Sequence, residues 1–171
     1  MNDLPIVIVL VGVPGSGKST WAYRNARDAI IASQDDLIDA ITPSGFDFAA
    51  CPIYAAAEEA TARAALEYGR HVIVDRTNRT CALRRRWLSI AQEAKCPAIA
   101  VVMSADWDTC RRRNRERSGS RRVCEERLDR MIAAFEQPNG GEGFHAVVDD
   151  RDCKTVLDAI RAAKLNGSTF L

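Results

Sequence analysis

Residues 6–11 form an unbroken apolar run rich in β-branched side chains, IVIVLV. A short run without alternation predicts a strand buried on both faces. A glycine-rich turn follows, and the spacing then predicts a helix over 18–27 and a second strand over 29–33. Pro52 can open a helix and Gly69 can close it, with Ala56, Ala60, Ala64 and Tyr68 recurring at helical spacing between them. Residues 71–75 read as a third strand. Thr80 is placed to cap a helix running to about residue 95, and 98–103 read as a fourth strand. Two further helices are predicted over 105–117 and 124–136. In the second, Leu128, Met131, Ile132 and Phe135 fall at i, i+3, i+4 and i+7, one apolar face. A fifth strand over 144–148 and a helix over 152–166, with Gly167 just past it, complete the order. Stretches 42–50 and 137–143 read as loops. Strands alternating with helices predict an α/β fold, a parallel sheet of about five strands flanked by helices. No repeat or linker interrupts the order, so residues 1–171 are expected to form a single domain.

Composition narrows the class without changing that picture. A chain of 171 residues suits one domain with a sizeable core. With 47% apolar and 27% charged residues it has the balance of an ordinary globular protein, which excludes dominant disorder and collagen-like repeats. The longest apolar stretch, 4–13, is interrupted by Pro5 and Gly12. It falls short of the roughly 20 residues a membrane helix needs. No Lys or Arg precedes it and no small-residue cleavage site follows, so neither a membrane partner nor a secretory signal is expected. Cysteines stand at 51, 81, 96, 110, 124 and 153, none in a Cys-x-x-Cys pair, and only His71 and His145 could join them on zinc. Reduced thiols in a cytoplasmic setting are the expectation.

Charge informs only when divided. The net charge is +1, yet residues 76–130 carry +8 and the rest −7. Arg outnumbers Lys by 20 to 4. Guanidinium groups grip phosphate in a bidentate way that ammonium groups cannot. The central third therefore reads either as a surface for anionic ligands or as a set of solvated helix faces.

The strongest motif is Gly12-Val13-Pro14-Gly15-Ser16-Gly17-Lys18-Ser19, followed by Thr20, which fits the P-loop or Walker A pattern G-x-x-x-x-G-K-[ST] at every fixed position. It lies between a predicted buried strand and a predicted helix, where the pattern must lie to work. Glycines let backbone N–H groups turn inward around phosphate oxygens, and the helix N-terminus adds free donors and a favourable dipole. Lys18 is expected on the β- and γ-phosphates of ATP or another nucleoside triphosphate, and Ser19 on Mg²⁺.

Three weaker signals follow. Asp35 and Asp36 sit just past the second strand, where ligands of open α/β sheets bind. A carboxylate there can accept a hydroxyl proton during phosphoryl transfer, or can simply serve a helix N-terminus. Asp75 closes the third strand as a Walker B acid does, with Arg76, Thr77 and Asn78 adding polar groups to the same rim. Seven arginines fall within residues 111–122, with Arg113 and Arg117 on one helix face. They suit a mobile lid, about 105–136, that brings charge onto a transferring phosphoryl group, or a solvated basic face. Arg84 to Arg86 are further candidates for an acceptor, although not all three can point at one ligand.

These motifs, in this order, resemble the kinase module of the phage-type polynucleotide 5′-hydroxyl kinases and their small P-loop relatives. The resemblance runs from Ile6 to about Val148 and rests on the sequence from Gly12 to Trp21, on Asp35-Asp36, and on Asp75-Arg76-Thr77-Asn78 with Trp87 nine residues on. Arg113-Asn114 with Arg117, and Glu142-Gly143-Phe144, complete it. It implies a P-loop fold with an Arg-rich helical lid. It further implies Lys18 and Ser19 as phosphate and Mg²⁺ ligands, Asp35 as general base, Arg113 and Arg117 as clamps, and Asn78 with its neighbours as the acceptor rim. Where that family usually carries an Arg two residues past the second Asp, this chain has Ile38. The implied activity is ATP-dependent transfer to a hydroxyl on nucleic acid, either a 5′-hydroxyl of DNA or RNA or a hydroxymethylated base. A kinase of nucleosides, sugars or nucleotide sugars, and a switch protein that only hydrolyses ATP, are the alternatives.

Overall fold

The computed structural model describes residues 4–42, 44–155 and 158–159. Its first strand, β1 (Val7–Val11), is buried along its whole length, as an apolar run without alternation requires. It forms the middle of a five-stranded sheet with β2 (Ala29–Ser33), β3 (His71–Asp75), β4 (Ala98–Val102) and β5 (Ala146–Asp149). The order is β2-β3-β1-β4-β5 and every pairing is parallel. Parallel neighbours demand crossovers, and helices supply them: α1 (Lys18–Asn25), α2 (Gln34–Ile41), α3 (Cys51–Glu67), α4 (Cys81–Glu93), α5 (Trp107–Arg115) and α6 (Glu125–Ala133).

Successive strand side chains point to opposite faces, so β1 feeds two core layers. Val7, Val9 and Val11 meet Ala62, Ala65 and Leu66 of α3 and Trp87 and Ile90 of α4. Ile6, Ile8 and Leu10 meet Trp21 and Ala22 of α1. Each Val or Ile fully buried in this way stabilises the fold by roughly 1.5–3 kcal/mol. A third, smaller cluster joins Val13 of the glycine-rich loop to Cys110 of α5 and Leu128 of α6, with Met131, Ile132 and Phe135 packed on it. The apolar face read from α6 thus seats the arginine-rich segment directly on the loop.

Element boundaries follow the sequence pattern with several differences. The helix expected over 105–117 ends at Arg115, so Arg117 lies past it and shares no helix face with Arg113. Between β2 and residue 42 the sequence left a helix N-terminus as one of two readings, and α2 forms there, because the Ser33 hydroxyl accepts from Asp36 N and caps it. The stripe Ala56, Ala60, Ala64 and Tyr68 of α3 is exposed; the helix buries Tyr54, Glu58, Ala62, Ala65 and Leu66 instead. β5 begins two residues later than expected, since Phe144 turns into the core and His145 N already bonds Ala98 O. The helix expected over 152–166 falls largely outside the described residues. All six cysteines are free thiols. Among the described residues no helix is long and apolar enough to cross a membrane.

Candidate active site

The C-terminal edges of β1, β2 and β3 place three polar segments side by side. β1 runs into the loop of residues 12–17, β2 into Gln34-Asp35-Asp36, and β3 into Asp75-Arg76-Thr77. Ser33 and Asp75 are register partners on adjacent strands. Gly12 N donates to Thr77 O at 3.0 Å, which ties the start of the loop to the β3 segment.

Two glycines of the loop are required by close approach. A Cβ on Gly12 would lie 2.4 Å from the Ser16 hydroxyl, and one on Gly15 would lie 2.4 Å from the backbone carbonyl of Cys110. Gly15 and Gly17 also take φ of +86° and +103°, open to glycine at little cost. The chain therefore curls tightly around residues 12–17 and enters α1 at Lys18, whose N-terminus carries no side-chain cap. Uncapped N–H donors at a helix start, behind a tightly turned glycine-rich loop, are an arrangement that can cradle a phosphate. Val13, Pro14, Gly15 and Ser16 are buried in it, whereas Thr20 is exposed on the first turn of α1.

Lys18 lies buried beneath the loop, its Nζ donating to Val13 O at 2.9 Å. Burial is the main reason its pKa falls to about 8, and Arg117 adds to the fall; Asp75 and Asp35 oppose it. Burial likewise pushes the Asp75 carboxyl up, against a hydrogen bond from the Ser19 hydroxyl and the pull of Lys18. Asp35 and Asp36 push it further up. Lys18, Ser19, Asp35, Asp75 and Arg117 thus converge closely enough to bias one another. The Ser19 hydroxyl and the Asp75 carboxylate are hard oxygen donors of the kind Mg²⁺ accepts, and Mg²⁺ needs few protein ligands when phosphates supply the others. That matches the finding that, among the described residues, no three His, Cys, Asp or Glu side chains gather into a metal cage.

α5 brings Arg113, and Arg117 follows just past its end. Arg113 Nη1 reaches Gly15 O at 3.4 Å, and Arg117 Nη1 reaches Arg121 O at 3.4 Å. The segment between α5 and α6 is pinned by the buried Asn114 side chain, which donates to Val123 O and accepts from Val123 N. Arg121 crosses to α2, 2.9 Å from Asp39 and 3.4 Å from Asp36. Asp36 also accepts from the Tyr23 hydroxyl, and that bond, with burial and the negative charge, lifts the Tyr23 pKa to about 12. Asp35, by contrast, projects exposed from the first turn of α2.

Two residues placed on the acceptor rim by sequence are structural instead. Arg84 is fully buried, held by both oxygens of Glu142 at 2.7 Å and bonded to Asn78 O and Glu136 O. Four of its five N–H donors are taken inside the fold, and full burial keeps the group from a ligand. Asn78 is also buried, at φ +43°, donating to Leu10 O and accepting from Trp87 Nε1. It clips the β3 edge to β1. Arg76 stays partly exposed but is tethered to Glu58 and Gln34. Sequence reasoning missed Glu58, Gln34 and Tyr23. Their only signal is polar identity beside a strand end or inside an otherwise apolar helix face.

Comparison with known proteins bears on the family and the fold. Residues 7–138 match the AAA domain family, AAA_33. The bifunctional polynucleotide phosphatase/kinase of Schizosaccharomyces pombe is 28% identical over 149 residues, 81% of this chain but 31% of that protein. This chain therefore spans about a third of that curated relative. In the solved Pnkp1/Rnl/Hen1 RNA repair complex, one chain superposes with a TM-score of 0.68 at 21% identity, covering 78% of this chain and 45% of that one. A gluconokinase from Sinorhizobium meliloti 1021 shares the fold with a TM-score of 0.57 at 18% identity, covering 95% and 93% of the two chains.

Proposed function

The chain belongs to the AAA domain family, and on that premise we propose that it is an ATP-dependent kinase that phosphorylates a hydroxyl on nucleic acid. The reading rests chiefly on one observation, the exposed Asp35 carboxylate beside the buried Lys18 and the half-buried Ser19 and Asp75. A protein that merely hydrolyses or senses nucleotide needs no such group on the acceptor side.

The roles follow from placement. The backbone N–H groups of the loop not already spent (Gly12 donates to Thr77 O and Pro14 has none), those at the start of α1 and the Lys18 side chain hold the triphosphate of ATP. Ser19, supported by Asp75, holds Mg²⁺, which supplies positive charge to the phosphate oxygens. Asp35 orients the acceptor hydroxyl and takes its proton. Lys18, Arg113 and Arg117 offset the negative charge that grows on the transferring group. Segment 105–136 acts as a lid over the cradle, with Cys110 backbone against Gly15 as its seat.

The name of the curated relative supports a polynucleotide acceptor; the acceptor group proposed on it is a 5′-hydroxyl, with a hydroxymethylated base as the second option. A specific observation keeps the metabolite reading beside it: Arg76, Arg84, Arg86 and Arg121 are all engaged with carboxylates of the chain itself. The experiment is transfer from γ-labelled ATP to 5′-hydroxyl oligonucleotides, to hydroxymethyluracil DNA and to a metabolite pool. Label on an oligonucleotide is the expected result; label only on a small molecule selects the second reading. Label found only in free phosphate overturns the kinase.

A further inference from the structure

α3 buries one stripe that is apolar except for Glu58, whose side chain is fully buried. Its Oε2 accepts from Arg76 Nη1 at 2.8 Å and from Arg86 Nη2 at 2.7 Å. Its Oε1 is buried without a hydrogen-bond partner. Burial pushes the carboxyl pKa up, and the two guanidinium groups pull it back. Stability does not account for such a residue, because replacing a buried ion pair by apolar side chains of similar volume is often neutral or favourable.

Its neighbours show what it holds. Arg76 follows Asp75 directly, and its Nη2 donates to Gln34 Oε1 at 2.6 Å; Gln34 directly precedes Asp35. The Arg76 guanidinium thus spans the two residues that flank the reacting carboxylates, across strands whose ends are in register. Arg86 approaches Glu58 from α4 and has other support: its guanidinium carbon lies 4.1 Å from the centre of the Trp87 ring, and Glu59 is 3.7 Å away. Two cations share one carboxylate oxygen, but only one of them reaches the site.

We infer that Glu58 is a positioning residue: it fixes Arg76, and through Gln34 fixes the separation between the Asp35 base and the Asp75 edge. This rests on the kinase reading above. Its mark is asymmetry between two changes that remove equal charge from the same oxygen. Arg76→Met lets the N-terminus of α2 move relative to β3, and a displacement near 1 Å costs on the order of a hundredfold in rate. Arg86→Met removes the other partner and leaves the Arg76–Gln34 bridge intact.

The test measures kcat for acceptor phosphorylation, the dissociation constant of an ATP analogue and the melting temperature for both variants, and for Arg76→Met combined with Glu58→Gln. Arg76→Met is expected to lower kcat by about ten- to a hundredfold with nucleotide affinity unchanged. Arg86→Met is expected to lower only the melting temperature. The double variant should be no slower than Arg76→Met alone, since both changes cut one bridge. Equal loss of kcat in the two single variants, or none in Arg76→Met, overturns the positioning role while leaving the kinase standing. Wild-type protein that labels no acceptor overturns the kinase reading itself, and the positioning role falls with it.

Discussion

The phosphate cradle and the arginine-rich rim lie within one site, yet they are built on different principles. In the cradle, the binding we propose falls to backbone. Gly12 and Gly15 are held by contacts that exclude a Cβ, and Lys18 is buried by the loop it follows. At the rim, side chains carry the chemistry, and the fold has already claimed most of them. Arg84 is consumed by Glu142, Arg76 and Arg86 by Glu58, and Arg121 by Asp36 and Asp39. Positive charge counted along the chain therefore overstates the charge offered to an acceptor. No Lys or Arg stands between Arg27 and Arg63, the stretch that holds Asp35, Asp36, Asp39 and Asp47. The acceptor side is acidic where the nucleotide side is cationic.

The sharpest way to separate the two regions is a substitution on each. Asp35→Asn keeps the shape of the rim and removes its base. It should slow transfer by about 10²–10⁴-fold while nucleotide affinity survives, measured by single-turnover kinetics against analogue binding. Lys18→Ala strikes the cradle and should slow transfer by about 10²–10³-fold at saturating ATP–Mg²⁺. If Asp36→Asn abolishes transfer and Asp35→Asn does not, the base lies one residue further along α2.

Arg84 separates structure from binding within the rim. Removing one partner of a buried ion pair strands the other, so Arg84→Ala should cost about 3–5 kcal/mol of folding stability, read by denaturant unfolding. Any protein that remains folded should bind acceptor normally. A selective loss of acceptor affinity at unchanged stability would return Arg84 to the binding surface.

The same contrast explains what could be read from the residues alone. The cradle was legible because its signal is local: glycines, Lys18 and Ser19 lie in one short stretch and their roles depend on that stretch's own backbone. The strands and their parallel pairing were legible for a similar reason, since β1, β3 and β4 are apolar runs, whereas their order in the sheet was not read. Helix α2 was left as one of two readings because a cap at Ser33 and three apolar residues, Leu37, Ile38 and Ile41, make a weak pattern. Glu58 was invisible because periodicity takes a carboxylate for an exposed position, and the cations that let it be buried lie 18 and 28 residues away. Arg84 was misplaced for the mirror reason: its partner Glu142 is 58 residues distant.

Proton linkage probes the cradle more gently. Lys18 has a pKa of about 8 against an ordinary 10.5, because burial disfavours its charge. Bound phosphates favour that charge, so the pKa rises in the complex, and binding above pH 8 takes up a proton. Nucleotide affinity should then be flat below pH 8 and fall by up to about tenfold per pH unit above it. Titration calorimetry in two buffers of different ionisation heat reads the proton directly. Lys18→Met should abolish the dependence; if it persists, another group in the site is responsible.

The smallest expected effect addresses the rim itself. The Arg121 bridge to Asp36 and Asp39 is half-exposed on both sides, and such pairs contribute about 0–1 kcal/mol. An acceptor strand can therefore draw Arg121 away from α2 by offering it a phosphate. Each such contact on a single strand adds a log–log salt slope of roughly −0.7. For a polynucleotide acceptor, the slope should steepen as an oligonucleotide grows from one to about four nucleotides and then level off. Arg121→Gln should flatten the longer oligonucleotide's slope by about 0.7. Asp39→Asn, which frees Arg121, should raise its affinity by up to about fivefold without changing that of a single nucleoside. A slope that stays constant with length, and an Asp39→Asn variant that treats both ligands alike, would mean the acidic rim receives no phosphate chain. The acceptor would then be a small metabolite.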